Sequence, residues 1–298
     1  MKQAVCHHTK IAALLEYRNQ IFDEAGVERL HRKAKFITRI YEENKKEWYQ
    51  TGYMIFMRSM DASDNKEVFL RLARFIPYNV IMREASSLLS IEALLIGGSG
   101  LLDICSDDNH IKQLKAQWAH LSHKYNLTAL HPAEWTINKT RPHNHPILRL
   151  AQIAMTLHKR EFLIDRILEC VTPQDVVDLF SIEASEYWNS QIFTIRSQVS
   201  STPKRLGKEK SFLLGINLVV QLQFAYSFLI GKSHLRDRAF ALLEKIPAEN
   251  NRYIRSWQQL GVEPVNAFES QAIIQIVTEY CQKGRCNECF LTKYANKR

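Results

Sequence analysis

Three cysteines stand near the end of the chain in the pattern C-x4-C-x2-C, at Cys281, Cys286 and Cys289. Thiolates at such short spacing can fold around one soft metal ion, so zinc or an iron-sulfur cluster is the cofactor this segment would take. Lys283, Arg285, Lys293, Lys297 and Arg298 surround them, against Glu288 as the only acid nearby in sequence. Positive potential favours thiolate and attracts phosphate. Three ligands are one short of a closed site. Cys6, His7 or His8 at the other end, Cys105, Cys170 or a group outside the chain could supply the fourth. Cys6 is the first choice, because it would tie the two ends together. The plainer reading is three free thiols on a frayed end.

Other patterns carry less chemistry. Glu43, Asn44 and Lys45 match a short E-x-K fragment of some nucleases, but on an exposed helix of mixed charge the match is chance. Gly97, Gly98, Ser99 and Gly100 lack the Lys-Ser or Lys-Thr that a phosphate loop needs, so they read as a helix stop. Asp107, Asp108 and Asn109 could hold a metal, yet they stand where the next helix needs its cap. His143 and His145 lie in a loop with Pro132, Pro142 and Pro146. No Cys or acid at ligand spacing accompanies them, so they are expected at the surface. No Ser-His-Asp, Cys-His or paired-carboxylate arrangement emerges, and no catalytic residue is assigned.

What must position these groups is a helical scaffold. Ser211–Gly231 is a long run without a charged residue. A helix apolar on every side must be surrounded by protein or lipid, and about 20 residues suffices for either. Asn217 and Gln221 sit four apart within it, with Gln223 nearby, and each amide would need a partner in hydrocarbon. Basic residues flank both ends, so no membrane orientation is specified. The run therefore reads as a buried helix, with no membrane partner. Around it the 3.6-residue periodicity predicts an all-α fold, an irregular multi-helix bundle of roughly a dozen helices with this apolar helix at its centre. The expected organisation is a lead-in over residues 1–27, an all-helical domain over 28–280, and a cysteine-containing basic tail over 281–298 packed on it.

Composition narrows the class. The 298 residues are 46% hydrophobic, with only 10 Gly and 8 Pro, which excludes a disordered or collagen-like chain. Forty Lys and Arg against 31 Asp and Glu give a formal +9, so DNA or RNA is a partner to test. Arg32, Lys35 and Arg39 line one face of an amphipathic helix and, with Lys283 and Arg285, are the candidate phosphate contacts. Six cysteines without a disulfide-framework pattern, and a beginning broken by His and Lys, suit a reducing cytoplasm with no export.

Several segments taken together resemble a known family: GVERLHRK, IEALLIGGSGLL, RPHNHPILRLAQIA, SEYWN, PAENN and the closing NAFESQAIIQIVTEYCQKGRCNEC. In this order they are similar to the later part of the bacterial domain-of-unknown-function family numbered 2851, from about Glu28 to Cys289, with the closing cysteines its most specific element. Longer members carry a segment resembling a metal-dependent restriction-type nuclease core, ahead of where this chain begins, so the resemblance implies no catalytic residue here. It leaves a nuclease-like domain as one protein partner to consider. Asn144, Arg149, Gln152, Asn217, Glu249, Asn251, Ser270 and Gln271 match the family pattern. Asn144, Arg149, Gln152, Asn217 and Gln221 read as buried polar residues tying helices together. The expectation is a non-catalytic helical domain that binds nucleic acid and carries a cysteine metal or cluster site; the alternative is a protein-interaction or scaffold domain.

Overall fold

The computed structural model describes residues 8–61, 64–137, 144–190 and 204–297. In chain order its helices are α1 His8–Glu16, α2 Arg18–Glu43, α3 Trp48–Ser59, α4 Lys66–Phe75, α5 Tyr78–Arg83, α6 Leu88–Glu92, α7 Asn109–Tyr125, α8 Pro146–Lys159, α9 Leu163–Glu169, α10 Pro173–Phe180, α11 Glu186–Ser190, α12 Lys208–Leu214, α13 Val220–Leu229, α14 Ser233–Lys245, α15 Arg252–Gln258, α16 Ala267–Gln275 and α17 Phe290–Ala295. The fold is all-α, with no strand among the described residues.

Local chemistry sets many of the helix starts. Asp108 accepts a hydrogen bond from the Ile111 amide at 3.0 Å, so the acidic cluster caps α7 as its position suggests. Asn251 caps α15 through the Tyr253 and Ile254 amides, and Asn266 caps α16 through the Glu269 amide. His145 caps α8, its Nδ1 accepting from the Ile147 amide at 3.3 Å, and it is buried rather than on the surface as expected. Pro146 favours this arrangement, since it fits the first helical position and leaves His145 in the cap. Burial lowers the His145 pKa to about 4, so the ring accepts as neutral imidazole. His143 lies outside the described residues.

The uncharged run forms one helix from Lys208 to Leu229, widened by a π-helical turn over Gly215–Val219, and 67% of its most apolar window is buried. Gln221 satisfies its amide within this helix, donating to the Ile216 carbonyl at 3.3 Å and to Asn217 Oδ1 at 3.4 Å. Gln221 is buried; Asn217, expected to be buried, is half-buried.

The chain folds into two compact units: unit 1 comprises residues 1–39, 171–173 and 215–298, and unit 2 residues 40–170 and 174–214. The boundary expected between residues 27 and 28 falls inside α2, because amphipathic spacing marks a buried face without naming the helices that bury it.

In unit 1, α13 and α14 form a hairpin, α14 packs on α16, and α1 packs on α17. Leu14, Ile21, Phe22, Ile254, Trp257, Ile273, Leu291 and Tyr294 share one core. Gly26 lets α2 approach α16 closely, since a Cβ there would lie 2.6 Å from the Phe268 ring. In unit 2, α6, its following π-helical turn Ala93–Gly97, α7 and α8 pack together, while α3 packs on α4. Gly97 abuts Trp118, where a Cβ would come within 2.5 Å of the indole. Gly100 then takes a left-handed conformation at φ 76°, which ends the helix as its glycine cluster suggests.

Candidate functional site

The cysteine segment belongs to the core of unit 1 rather than to a loose end. Cys289, Leu291 and Tyr294 are buried, and the Tyr294 ring lies 5.3 Å from Tyr17 of the α1–α2 connection. Cys281 is half-buried and Cys286 exposed. Burial raises the Cys289 pKa, which favours thiol over thiolate. Among the described residues no three His, Cys, Asp or Glu side chains gather as a metal-ligating group. Cys6 lies outside the described residues.

Three of the basic side chains around this segment are paired with acids, two of them close in sequence and one, Glu24, on α2. Lys283 pairs with Glu279 at 2.5 Å, Arg285 with Glu288 at 2.5 Å, and Lys293 with Glu24 of α2 at 2.7 Å. Arg32 bonds Gln275 at 3.1 Å and stands 3.6 Å from Glu279. Three of the five expected phosphate contacts, Arg32, Lys283 and Arg285, are therefore committed to partners within the protein. Lys35 and Arg39 are exposed on α2, the Arg39 guanidinium 5.3 Å from the centre of the Phe36 ring.

Deeper in unit 1 the same helix contributes to a buried network. Arg29 is 8% exposed, and its Nε donates to Gln271 Oε1, while the Gln271 amide donates to Glu249 Oε2. Burial, aided by Arg32, lowers the Arg29 pKa to about 10, and burial raises that of Glu249. Ser270 accepts from the Glu249 amide at 3.3 Å. Glu28 accepts from Tyr280 at 2.6 Å and from Gln275 at 3.0 Å. Glu249, Ser270 and Gln271 thus work as one hydrogen-bonded unit with Arg29, which had no reason to stand out in a helix of many charges.

Unit 2 holds a second network. Arg149 Nη1 donates to Gln152 Oε1 at 2.8 Å and Nη2 to Asn144 Oδ1 at 2.6 Å; Gln152 donates in turn to the Lys204 carbonyl at 2.8 Å. Arg149 and Gln152 are buried as expected, whereas Asn144 is exposed, since it precedes the helix and only its oxygen reaches inward. Lys210, at the start of α12, donates to the Ser59 carbonyl at 3.0 Å. Lys210 did not figure among the sequence candidates, because a lysine just ahead of an apolar run reads as a flank.

A third cluster, also missed, surrounds Glu92. Its carboxylate is buried, accepts from Ser185 Oγ at 2.9 Å and lies 3.6 Å from His110 Nε2. The His110 ring stacks on Tyr187 with centroids 4.0 Å apart, and Tyr187 donates to Asp108 at 2.6 Å. Burial pushes the Glu92 pKa up to about 7 and that of His110 down. Folded protein therefore holds the Glu92 proton more tightly than the unfolded chain does. Glu92 contributes stability below about pH 4.5, and that contribution is lost as pH rises through about 7. His110 acts with the opposite sign, adding stability as pH rises through its range. Glu92→Gln should remove on the order of 2 kcal/mol of the stability difference between pH 5 and 8. Urea melts at the two pH values measure it; an unchanged difference would mean that Glu92 does not titrate as described.

Fold and polar interior together define an all-α protein whose two units each bury an arginine held by side-chain amides. The chain belongs to the family described as a protein of unknown function, domain of unknown function 2851, whose model matches residues 2–252. The match includes Asn144, Arg149, Gln152, Asn217, Glu249 and Asn251 but stops before the cysteine segment, which the resemblance treats as its most specific part. No curated protein and no solved structure matches the chain.

Proposed function

We propose that this protein binds nucleic acid through the surface of unit 1, without using that surface for catalysis. The observation that carries the reading is an uneven distribution of charge. Unit 1 holds 19 Lys and Arg against 11 Asp and Glu, a formal +8; unit 2 holds 21 against 20, a formal +1. A charge excess confined to one unit gives a local field that attracts and orients a polyanion.

The supporting surface differs from the one expected. His31 of α2 lies 5.5 Å from Phe228 at the end of α13, and Phe228 is 51% exposed. Lys35 is one helical turn beyond His31 on the same face of α2. Lys232, His234 and Arg236 are exposed at the α13–α14 turn that follows Phe228. Cations beside an exposed ring suit a single strand, whose phosphates take the charge while a base stacks on the aromatic face. The exposed Ile230 beside Phe228 favours the second reading, an apolar contact with a protein partner.

The test is binding of short DNA and RNA strands over a range of salt concentrations. Three or four phosphate contacts predict a log–log slope of about −2 to −3 for single strands. No binding at low salt, or binding indifferent to salt, would overturn the reading and leave the protein-partner surface.

A further inference from the structure

We propose that Cys286 and Cys289, on the turn between α16 and α17 of unit 1, form a dithiol site that exchanges with disulfides. The short helical turn Cys286–Glu288 carries two successive i→i+3 hydrogen bonds, from the Glu288 amide to the Arg285 carbonyl at 3.2 Å and from the Cys289 amide to the Cys286 carbonyl at 3.3 Å. At three residues per turn and a rise of about 2 Å for each, positions 286 and 289 stand one above the other, with Cα atoms about 6 Å apart. That is the separation a disulfide spans. The turn is also fixed from outside. Thr292 Oγ1 donates to the Cys286 carbonyl at 2.5 Å, and the Arg285 amide donates to the Tyr280 carbonyl at 2.9 Å. The Tyr280 and Phe290 rings meet edge to face at 5.3 Å and close the base of the loop, while Arg285 and Glu288 pair across its tip. Little chain entropy is left to lose when the two sulfurs join.

The second observation is independent of the turn's geometry. Cys286 is exposed and open to a reagent, whereas Cys289 is only 5% exposed and lies beneath it in the core of unit 1. Such a pair divides the work between an outer thiol that attacks and an inner one that resolves. The Cys286 thiolate attacks one sulfur of a disulfide RS–SR, forming a Cys286–S–S–R bond and expelling RS⁻. Cys289 then gives up its proton, and its thiolate attacks Cys286 Sγ, closing the protein disulfide and expelling the second RS⁻. The dithiol loses two electrons to RS–SR, and its two protons end on the two RSH products. Cys281 precedes the hydrogen-bonded turn, and Cys105 and Cys170 belong to unit 2, so the pairing is specific to 286 and 289. The site shares no residue with the nucleic-acid surface proposed above and does not depend on it.

The experiment equilibrates the fully reduced full chain with oxidised glutathione, quenches with acid, alkylates the remaining thiols with a maleimide and maps every cysteine by mass spectrometry. Wild type should end with a Cys286–Cys289 disulfide, and Cys281→Ser should do the same. Cys289→Ser should instead keep glutathione on Cys286, at least about tenfold more than wild type holds, because the resolving thiol is gone. Cys289→Ala accompanies it, in case the buried position rejects a hydroxyl. Cys286→Ser, at an exposed position, should fold normally and leave Cys289 unreacted. Insulin with dithiothreitol separates the sources of the disulfide. Faster insulin reduction in the presence of the protein assigns the site to protein disulfides, and exchange with glutathione alone assigns it to small ones. Absence of the Cys286–Cys289 disulfide in wild type overturns the proposal, as does a disulfide that joins Cys281 instead. Failure of both Cys289 variants to retain glutathione on Cys286 overturns it too. So does about one equivalent of zinc, in protein purified under reducing conditions, that shields both thiols from alkylation until a chelator removes it.

Discussion

Reversing Lys35, Lys232 and Arg236 to glutamate together should weaken binding of a short single strand by roughly 100-fold near 0.1 M salt and flatten its salt dependence. Each reversal removes a counterion-releasing contact and adds repulsion, and the three residues sit where exposed cations flank Phe228. The informative comparison is the pair Lys283→Gln and Arg285→Gln. Those cations already neutralise Glu279 and Glu288 at 2.5 Å, so their loss should change affinity by less than about threefold. Equal effects from the two sets would show that overall charge, not the α2 and α13–α14 surface, drives association. Phe228→Ala adds a check on stacking, with an expected loss on the order of 1 kcal/mol of binding free energy.

Arg29→Met should lower stability by about 3 kcal/mol at pH 8. Arg29 and Gln271 are buried and Gln271 donates to the half-buried Glu249, so removing the cation withdraws the positive charge that stabilises that carboxylate. Glu249 already has a raised pKa through burial, and losing Arg29 raises it further. In the variant, protonating Glu249 restores stability, so the loss should be smaller at pH 5 than at pH 8. The double variant Arg29→Met with Glu249→Gln should recover much of the loss at pH 8. Additive effects in that cycle would show that the two residues do not interact. Chemical denaturation followed by circular dichroism reads all four corners.

Much of the helical scaffold was legible in sequence because it rests on short-range rules. The cap at Asp108, the stop at Gly100 and the start of α10 at Pro173 depend on residues within about one helical turn. The uncharged segment could be recognised as a buried helix from its lack of charge together with the amides of Asn217 and Gln221 and the basic residues at both ends. What could not be read was pairing over long separations. Glu24 answers Lys293 from the far end of the chain, and Glu279 serves both Arg32 and Lys283, so part of the apparent basic tail and helix stripe was already neutralised. The same limit hid Lys210, whose burial depends on the end of α3, and Glu92, whose partners arrive from α7 and the segment before α11. Matching residues such as Arg149 and Gln152 were recognisable as polar members of apolar helices. Their shared network appeared only with the fold.

Unit 1 is interrupted in sequence: its first helices belong to residues 1–39, and most of the rest to 215–298. During synthesis α1 and the start of α2 must therefore wait for residues 40–214, about 10–35 s at 5–20 residues per second. Through that interval Leu14, Ile21 and Phe22 lack Trp257, Ile273 and Leu291, the side chains that later cover them. Unit 2 is nearly continuous and can complete its interior first. The nascent chain thus presents the apolar residues of α1 and the first half of α2 uncovered to chaperones until residues 215–298 leave the ribosome.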